Sequence, residues 1–179
     1  EALGGKRGDR NRVHPNDDVN KGQSTNNTFP SAIKIAAIRL SGNTVVELKT
    51  LVAALQAKSA EFSDVIKSGR THLRDAVPIT LGQEFGAYAR ALEKDVQRIE
   101  PAREKLHELA VGGNAVGTGV TTKKGFGDAI LRELREITGL AFRTAKDGVE
   151  ATQFMTDLAE LSSALRLMAV DLQKICNDL

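Results

Sequence analysis

From Ala151 to Leu179 the apolar side chains Ala151, Phe154, Leu158, Leu161, Leu165, Met168, Leu172, Ile175 and Leu179 recur at alternating intervals of three and four. A strand sends successive side chains to opposite faces, so this spacing serves no sheet. On a helix it gathers every one of them into a single stripe, a coiled-coil-like seam. A second row, Ala159, Ser163, Leu167 and Val170, runs beside it. A helix that needs partners on two sides belongs inside a bundle. Such a rod is roughly 45 Å long at 1.5 Å per residue, and a chain of 179 residues offers few neighbours for it. The expectation is that other subunits supply some of the partners, the alternative being an antiparallel bundle within one chain.

Composition points the same way. Aromatic residues make up 4% of the chain and Trp is absent, so the core must be built from Leu, Ile, Val and Ala, which suits helix-on-helix packing. The expected fold class is all-α, a long-helix bundle. Residues 1–29 are polar, rich in Gly, Asn and Asp, and carry no helical stripe, so they read as a loop segment with at most a short turn. Residues 30–179 read as the helical-bundle domain. Pro30 stands where a first helical residue tolerates proline. Beyond it Leu48, Val52, Leu55, Phe62 and Ile66 form one face, interrupted at modest cost by Gly42. Residues 68–80 read as a loop. Leu81 opens a second helix striped by Phe85, Tyr88, Leu92, Val96 and Ile99; Pro101 is expected to kink or break it, with Leu106 and Leu109 continuing the pattern. "VGGNAVGTG", residues 111–119, must be a tight loop, followed by a short helix over about 125–138 that Gly139 ends. The chain opens without Met and stops inside a helical pattern, so it reads as a piece of a longer protein, incomplete at its C-terminal end.

The net charge of +2 gives no basic field for nucleic acid or an anionic membrane, and no apolar run reaches transmembrane length. Cys176 is the single cysteine; it forms no internal disulfide and fits a reducing compartment, with cytoplasm the expected location. The histidines lie far apart and away from the cysteine, so no metal site is expected. No phosphate-cradling glycine motif occurs, and no cofactor is expected.

Polar side chains gather instead in three places: "VHPNDD" (Val13–Asp18), "GQSTNNTFP" (Gly22–Pro30) and "GRTHLRDA" (Gly69–Ala76). Each lies in a loop at a helix end, where unpaired backbone N–H groups favour anions. Taken singly, Ser, Thr and Asn before a helix are ordinary caps, and "HPND" is an ordinary turn. A lone His72 reads as a surface residue, and His107 as part of a solvated face. Ser24 and His72 pair only nominally, because no nucleophile elbow surrounds the serine.

The order of the motifs is more specific than any one of them. "VHPNDDVNKGQSTNNTFP", a long helical stretch, "GRTHLRDAVPITLGQEF", "GGNAVGTG" and "KICNDL" follow one another in a way that resembles the fumarase/aspartase superfamily, the class II fumarases and aspartate ammonia-lyases in particular. The resemblance covers essentially the whole chain and corresponds to the central portion of such an enzyme. It implies anti-elimination from a C4 dicarboxylate to give fumarate. Loss of the C3 proton places a second negative charge on the adjacent carboxylate, which calls for preorganised donors there, and the other carboxylate needs donors of its own to fix orientation.

By this resemblance Ser24 and Thr25 would be donors to the carboxylate beside the deprotonated carbon. Asn26 would contact the α-substituent, Thr71 would bind the other carboxylate, and His72 would be the active-site histidine. His14, Asn16 and Asp17 match the segment that forms a second, non-catalytic dicarboxylate pocket. The family pools its long helices into a homotetramer whose active sites each draw on three subunits. Three departures stand out. Asn27 occupies a position where Asp is usual, Asn114 one where Thr is usual, and Asn11, flanked by Arg10 and Arg12, one where the second pocket has an arginine.

Between the two substrates, Ser-Thr-Asn, "LGQEF" and "KICNDL" resemble aspartate ammonia-lyases, whereas "HPNDDVN", "TFP" and "VGGNAVGTG" lean toward fumarase. The expectation drawn here is L-aspartate to fumarate plus ammonia, with fumarate hydratase (L-malate to fumarate plus water) and a non-catalytic helical scaffold as alternatives. The flexible "GSSxMPxKxN" loop that carries the family's catalytic serine base does not occur in the chain, nor does the early segment that adds another threonine to the site. The purified 179-residue chain is therefore expected to be inactive. Appearance of fumarate absorbance with either aspartate or malate would overturn this.

Overall fold

The computed structural model describes all residues, Glu1–Leu179. They form two compact units: Glu1–Ala36 with Leu106–Met155, and Ala37–Lys105 with Thr156–Leu179. The helices are α1 (Thr25–Glu61), α2 (Leu81–Lys105), α3 (Phe126–Thr138), α4 (Gly148–Gln153) and α5 (Thr156–Asp178), preceded by a single wide π turn at Pro15–Val19. The strands are few: an antiparallel hairpin of β1 (Ile66–Thr71) and β2 (Arg74–Thr80), and a short parallel pair of β3 (Glu108–Leu109) and β4 (Arg143–Thr144). The helical frame agrees with the fold class read from the sequence.

α1 belongs to both units. Its buried residues are Asn27, Ser31, Lys34, Ile38, Ser41, Val45, Leu48, Val52 and Leu55, a strict alternation of four and three that forms one seam. The polar members satisfy themselves close by. Ser31 Oγ donates to the Asn27 carbonyl at 2.6 Å and Ser41 Oγ to the Ala37 carbonyl at 2.5 Å. Lys34 Nζ donates to the Glu108 carbonyl at 2.9 Å. The helix begins at Thr25, before Pro30, so proline sits inside it rather than at its start. The Ser24 cap described below supplies the earlier start. The predicted face also ends earlier than expected: Ile66 is 77% exposed and lies on β1.

In the second unit α1 and α2 are tied by Lys49–Glu100 (2.6 Å), Gln56–Glu93 (2.6 Å) and Arg103 Nε to Ser41 Oγ (2.9 Å). Gly42 leaves room for that arginine, since a Cβ there would stand 3.0 Å from Arg103 Nη2. α2 runs unbroken through Pro101 to Lys105, against the expected break. Pro101 is exposed while its neighbours Ile99 and Ala102 are fully buried, so the lost hydrogen bond falls on the side where water replaces it. Leu109 lies on β3 and not on a continued helix.

The loop expected at 68–80 is instead the β1–β2 hairpin. Thr71 pairs with Arg74, leaving His72 and Leu73 as the two turn residues with φ of 50° and 61°. Two successive positive φ values are the signature of a type I′ turn. The C-terminal seam is also interrupted: α4 stops at Gln153, Phe154 is extended (φ −112°, ψ 125°), and α5 starts at Thr156. Within α5, Leu161, Ala164 and Ile175 are buried, whereas Leu167 and Val170 of the second row are 45% and 54% exposed. α3 ends as expected at Gly139, whose φ of 70° terminates the helix.

Asp95 of α2 is fully buried, with Oδ1 accepting from Arg98 at 2.6 Å and Oδ2 without a partner. Burial pushes its carboxyl above the usual range, Arg98 opposes this, and the nearby Asp171 adds to it. A folded-state carboxyl that holds its proton longer than the unfolded one makes stability fall as pH rises from the ordinary Asp value toward the folded value. Asp95→Asn removes that titration, so the stability of the variant relative to wild type is expected to rise as pH rises through that window. Urea unfolding across a pH series measures the difference.

Candidate functional site

The start of α1 organises the first group of candidate residues. Ser24 caps the helix: its carbonyl accepts from Asn27 N and Thr28 N at 3.2 and 2.9 Å, and its Oγ accepts from Asn26 N at 3.2 Å. Asn27 closes the arrangement, its Oδ1 accepting from Ser24 N at 3.2 Å. This is a capping box with an amide in the place usually held by Glu or Gln. A hydroxyl has one donor and two acceptor sites. Ser24 Oγ, used as an acceptor, keeps its proton available for an anion beside the helix end. The first turn of α1 holds no acidic residue, so the positive end of the helix dipole is not offset there.

Asn26 makes the next link, donating from Nδ2 to the Ala115 carbonyl at 3.2 Å. That bond ties the start of α1 to the loop of residues 111–119. Thr25 and Asn26 border an open hollow of about 650 Å³ shared with Val116, Thr118, Val149 and Thr152. The loop is held on its other side by a glycine pair, because a Cβ on Gly117 would overlap the Gly148 carbonyl and a Cβ on Gly148 would overlap the Gly117 carbonyl. Asn114, one of the departures, donates from Nδ2 to Thr121 Oγ1 at 3.1 Å, so it braces the loop internally.

Thr71 and His72 lie in the second unit, at the tip of the hairpin, both exposed. The positive φ of His72 and Leu73 fixes the direction of the tip through the backbone, and Leu73 is 96% exposed. The structure thus joins Thr71 to His72 and joins Ser24, Thr25 and Asn26 to one another.

His14, Asn16 and Asp17 are brought together in the π turn. His14 Nδ1 accepts from Asn16 N and Asp17 N at 3.2 and 3.1 Å, while His14 N donates to Asp18 Oδ2 at 2.7 Å. Asp17 Oδ2 also lies 3.2 Å from Nδ1. The two backbone donors point at that nitrogen, which leaves Nε2 as the ring atom facing away from the turn it caps. Arg12, which flanks Asn11, donates to the Leu3 carbonyl. No group of three or more His, Cys, Asp or Glu side chains is placed to hold a metal ion, and no helix is long and apolar enough to cross a membrane.

Sequence reading missed two things here. Asn27 is a structural acceptor in the cap, a role signalled by the Ser-x-x-Asn spacing. Val116 and Thr118 border the hollow, for which the glycine-rich run gave a loop but no direction. Ser24→Ala should cost about 1 kcal/mol of stability through the lost cap, and Ser24→Gly only a few tenths, as read by urea unfolding.

The family described as "Lyase" matches residues 1–179. The mitochondrial fumarate hydratase of Rhizopus oryzae is 48% identical over 100% of this chain and 36% of its own length. The class II fumarate hydratase of Corynebacterium efficiens is 50% identical over 93% and 36%. Among solved structures, a fumarate lyase:delta crystallin from Brucella melitensis bound to cobalt has a TM-score of 0.92 at 44% identity, covering 99% of this chain and 38% of its own. The class II fumarase from Schistosoma mansoni has a TM-score of 0.88 at 35% identity, covering 93% and 38%. The chain therefore spans little more than a third of the relatives it matches. Their names correct the expectation of aspartate ammonia-lyase. The stretches that favoured it answer to helix geometry. Ser-Thr-Asn is the α1 cap, and in "LGQEF" Gln83 exchanges hydrogen bonds with Thr80 at 2.9 and 3.1 Å to cap α2. In "KICNDL", Asp178 accepts from Tyr88 at 2.9 Å and pairs with Lys174. By sequence along its whole length and by its helical frame, the chain belongs to the fumarase/aspartase superfamily of lyases.

Proposed function

We propose that the protein containing this chain is a fumarate hydratase, interconverting L-malate with fumarate and water. The observation that carries the reading is the likeness along the whole chain to proteins named fumarate hydratase, 48% identical in Rhizopus oryzae; the donor cluster at the start of α1, where Ser24 and Thr25 flank a helix end free of acidic residues, is compatible with it. In the forward direction a base removes the C3 proton, and the electron pair moves onto the adjacent carboxylate. The electron pair then returns to form the C2=C3 double bond as the C2–O bond breaks, and the departing hydroxyl takes a proton from a general acid to leave as water. Ser24 and Thr25 stabilise the doubly charged carboxylate, in which charge develops only along the reaction path. Asn26, held by the Ala115 carbonyl, contacts the C2 substituent. Thr71 binds the second carboxylate, and His72 serves the departing water. His14, Asn16 and Asp17 form a second dicarboxylate pocket.

No cofactor and no metal is assigned to the reaction. The uncovered apolar row of α5, with Leu167 and Val170 exposed, supports a homotetramer with shared active sites. Cytoplasm is the proposed location, supported by the single cysteine, although several relatives are named mitochondrial. An assay of the complete enzyme with L-malate and L-aspartate, following fumarate absorbance, tests the reading. Fumarate is expected from malate only, and a failure to act on malate would overturn it.

A further inference from the structure

We propose that Gly69 is a positioning residue for the reaction: by admitting a β-bulge into the middle of the β1–β2 hairpin, it aims the tip that carries Thr71 and His72. The inference rests on the reading of Thr71 and His72 as substrate contacts.

The base of the hairpin is clamped. Leu81 N donates to the Val65 carbonyl at 2.8 Å, Gly82 N donates to the Phe62 carbonyl at 3.0 Å, and Lys67 pairs with Glu84 of α2. The tip is regular: Arg70 stands opposite Asp75 and Thr71 opposite Arg74, with Arg70 Nε 3.5 Å from Asp75 Oδ1. From Thr71 to Arg74 every residue is exposed. The irregularity lies between these two parts. Ser68 pairs with Pro78 and Arg70 with Asp75, so Gly69 alone faces Ala76 and Val77. One residue against two is a bulge, which bends the strand and sharpens its twist. It falls beside Pro78, which brings no N–H to the ladder. Gly69 is the one buried residue of an otherwise exposed hairpin. A Cβ there would stand 2.8 Å from the Val77 carbonyl oxygen and 3.2 Å from Ile79 Cγ2. The nearer of these atoms is main chain of the bulge itself, so a side chain at this position displaces a strand and not a rotamer. With the base fixed and the tip regular, the bulge is where the angle between them is set. His72 lies three residues beyond it, about 10 Å at about 3.3 Å per residue, so a change of about 10° at the bulge moves the ring by roughly 2 Å. A misplacement of about 1 Å can cost a reaction about a hundredfold.

The test uses the complete enzyme as wild type, Gly69→Ala, His72→Asn and the double variant. For each, kcat and KM for L-malate are followed by fumarate absorbance, and folding is checked by thermal denaturation. Gly69→Ala is expected to lower kcat about tenfold to a hundredfold. In the His72→Asn background the same substitution should leave kcat nearly unchanged, because the imidazole it would misplace is gone, while KM still rises through Thr71. A merely structural role would lower kcat by the same factor in both backgrounds. Unchanged kcat in Gly69→Ala, or an equal loss in both backgrounds, overturns the proposal. If Gly69→Ala does not fold, deletion of Ala76 takes its place. The deletion leaves one β2 residue opposite Gly69 and keeps every residue of the tip, and the same outcomes decide. Failure of both variants to fold assigns the bulge to folding alone and overturns the proposal. Wild-type turnover in His72→Asn overturns the reading of His72 and the proposal with it. Turnover lost in His72→Asn but kept in Gly69→Ala overturns the proposal alone.

Discussion

Between Asn27 and Leu55 every third or fourth residue of α1 is closed to water, and α1 contributes residues to each compact unit. Its chemistry changes along its length. Val45, Leu48, Val52 and Leu55 gain from burial in the ordinary hydrophobic way. Asn27, Ser31, Lys34 and Ser41 do not, and a buried polar group is costly unless it is hydrogen-bonded. Each of these side chains has its own backbone or cap partner. The helix can therefore be buried along its side while its first turn stays polar and open to a ligand. Chemistry and packing share one element because the polar half of the seam is satisfied locally.

The parts of the fold that were legible in the sequence are those governed by one short-range rule. α2 begins at Leu81 and α3 ends at Gly139 because caps and left-handed glycines act within a few residues. The hairpin was illegible because β1 and β2 are largely exposed on both faces and β2 carries Pro78 within its short apolar run, so no alternation marks them. Its turn uses His-Leu where Asn-Gly would have announced it. Both prolines inside helices were misread: Pro30 and Pro101 each remove a single bond, which the Ser24 cap upstream outweighs in the first case and water on the exposed side replaces in the second. The C-terminal stripe kept its phase across Phe154 and Met155, so periodicity could not register the break between α4 and α5.

The candidate site was legible as a cluster and illegible as geometry. Runs of small polar residues announced Ser24, Thr25, Asn26 and the "HPND" turn. Which of those atoms are spent on the backbone was not visible. Nδ1 of His14 is occupied by the turn it caps, while Ser24 Oγ keeps a proton to donate. The choice between water and ammonia as leaving group failed for a related reason. The residues weighed for it sit at helix ends, where capping dictates the same side chains whatever the substrate.

The contact of Gly117 with Gly148 constrains how this protein can change. Each glycine is excluded from gaining a side chain by the other's backbone and not by a flexible neighbour. A substitution at either position therefore cannot be relieved by a second substitution at its partner; only a shift of main chain would make room. The loop of residues 111–119 and the first turn of α4 consequently behave as one heritable block. Sequence drift can alter what the block carries, at Val116, Thr118 or Val149, without altering how its two halves meet. A route to a new ligand is thus open through the side chains bordering the hollow, and closed through its frame.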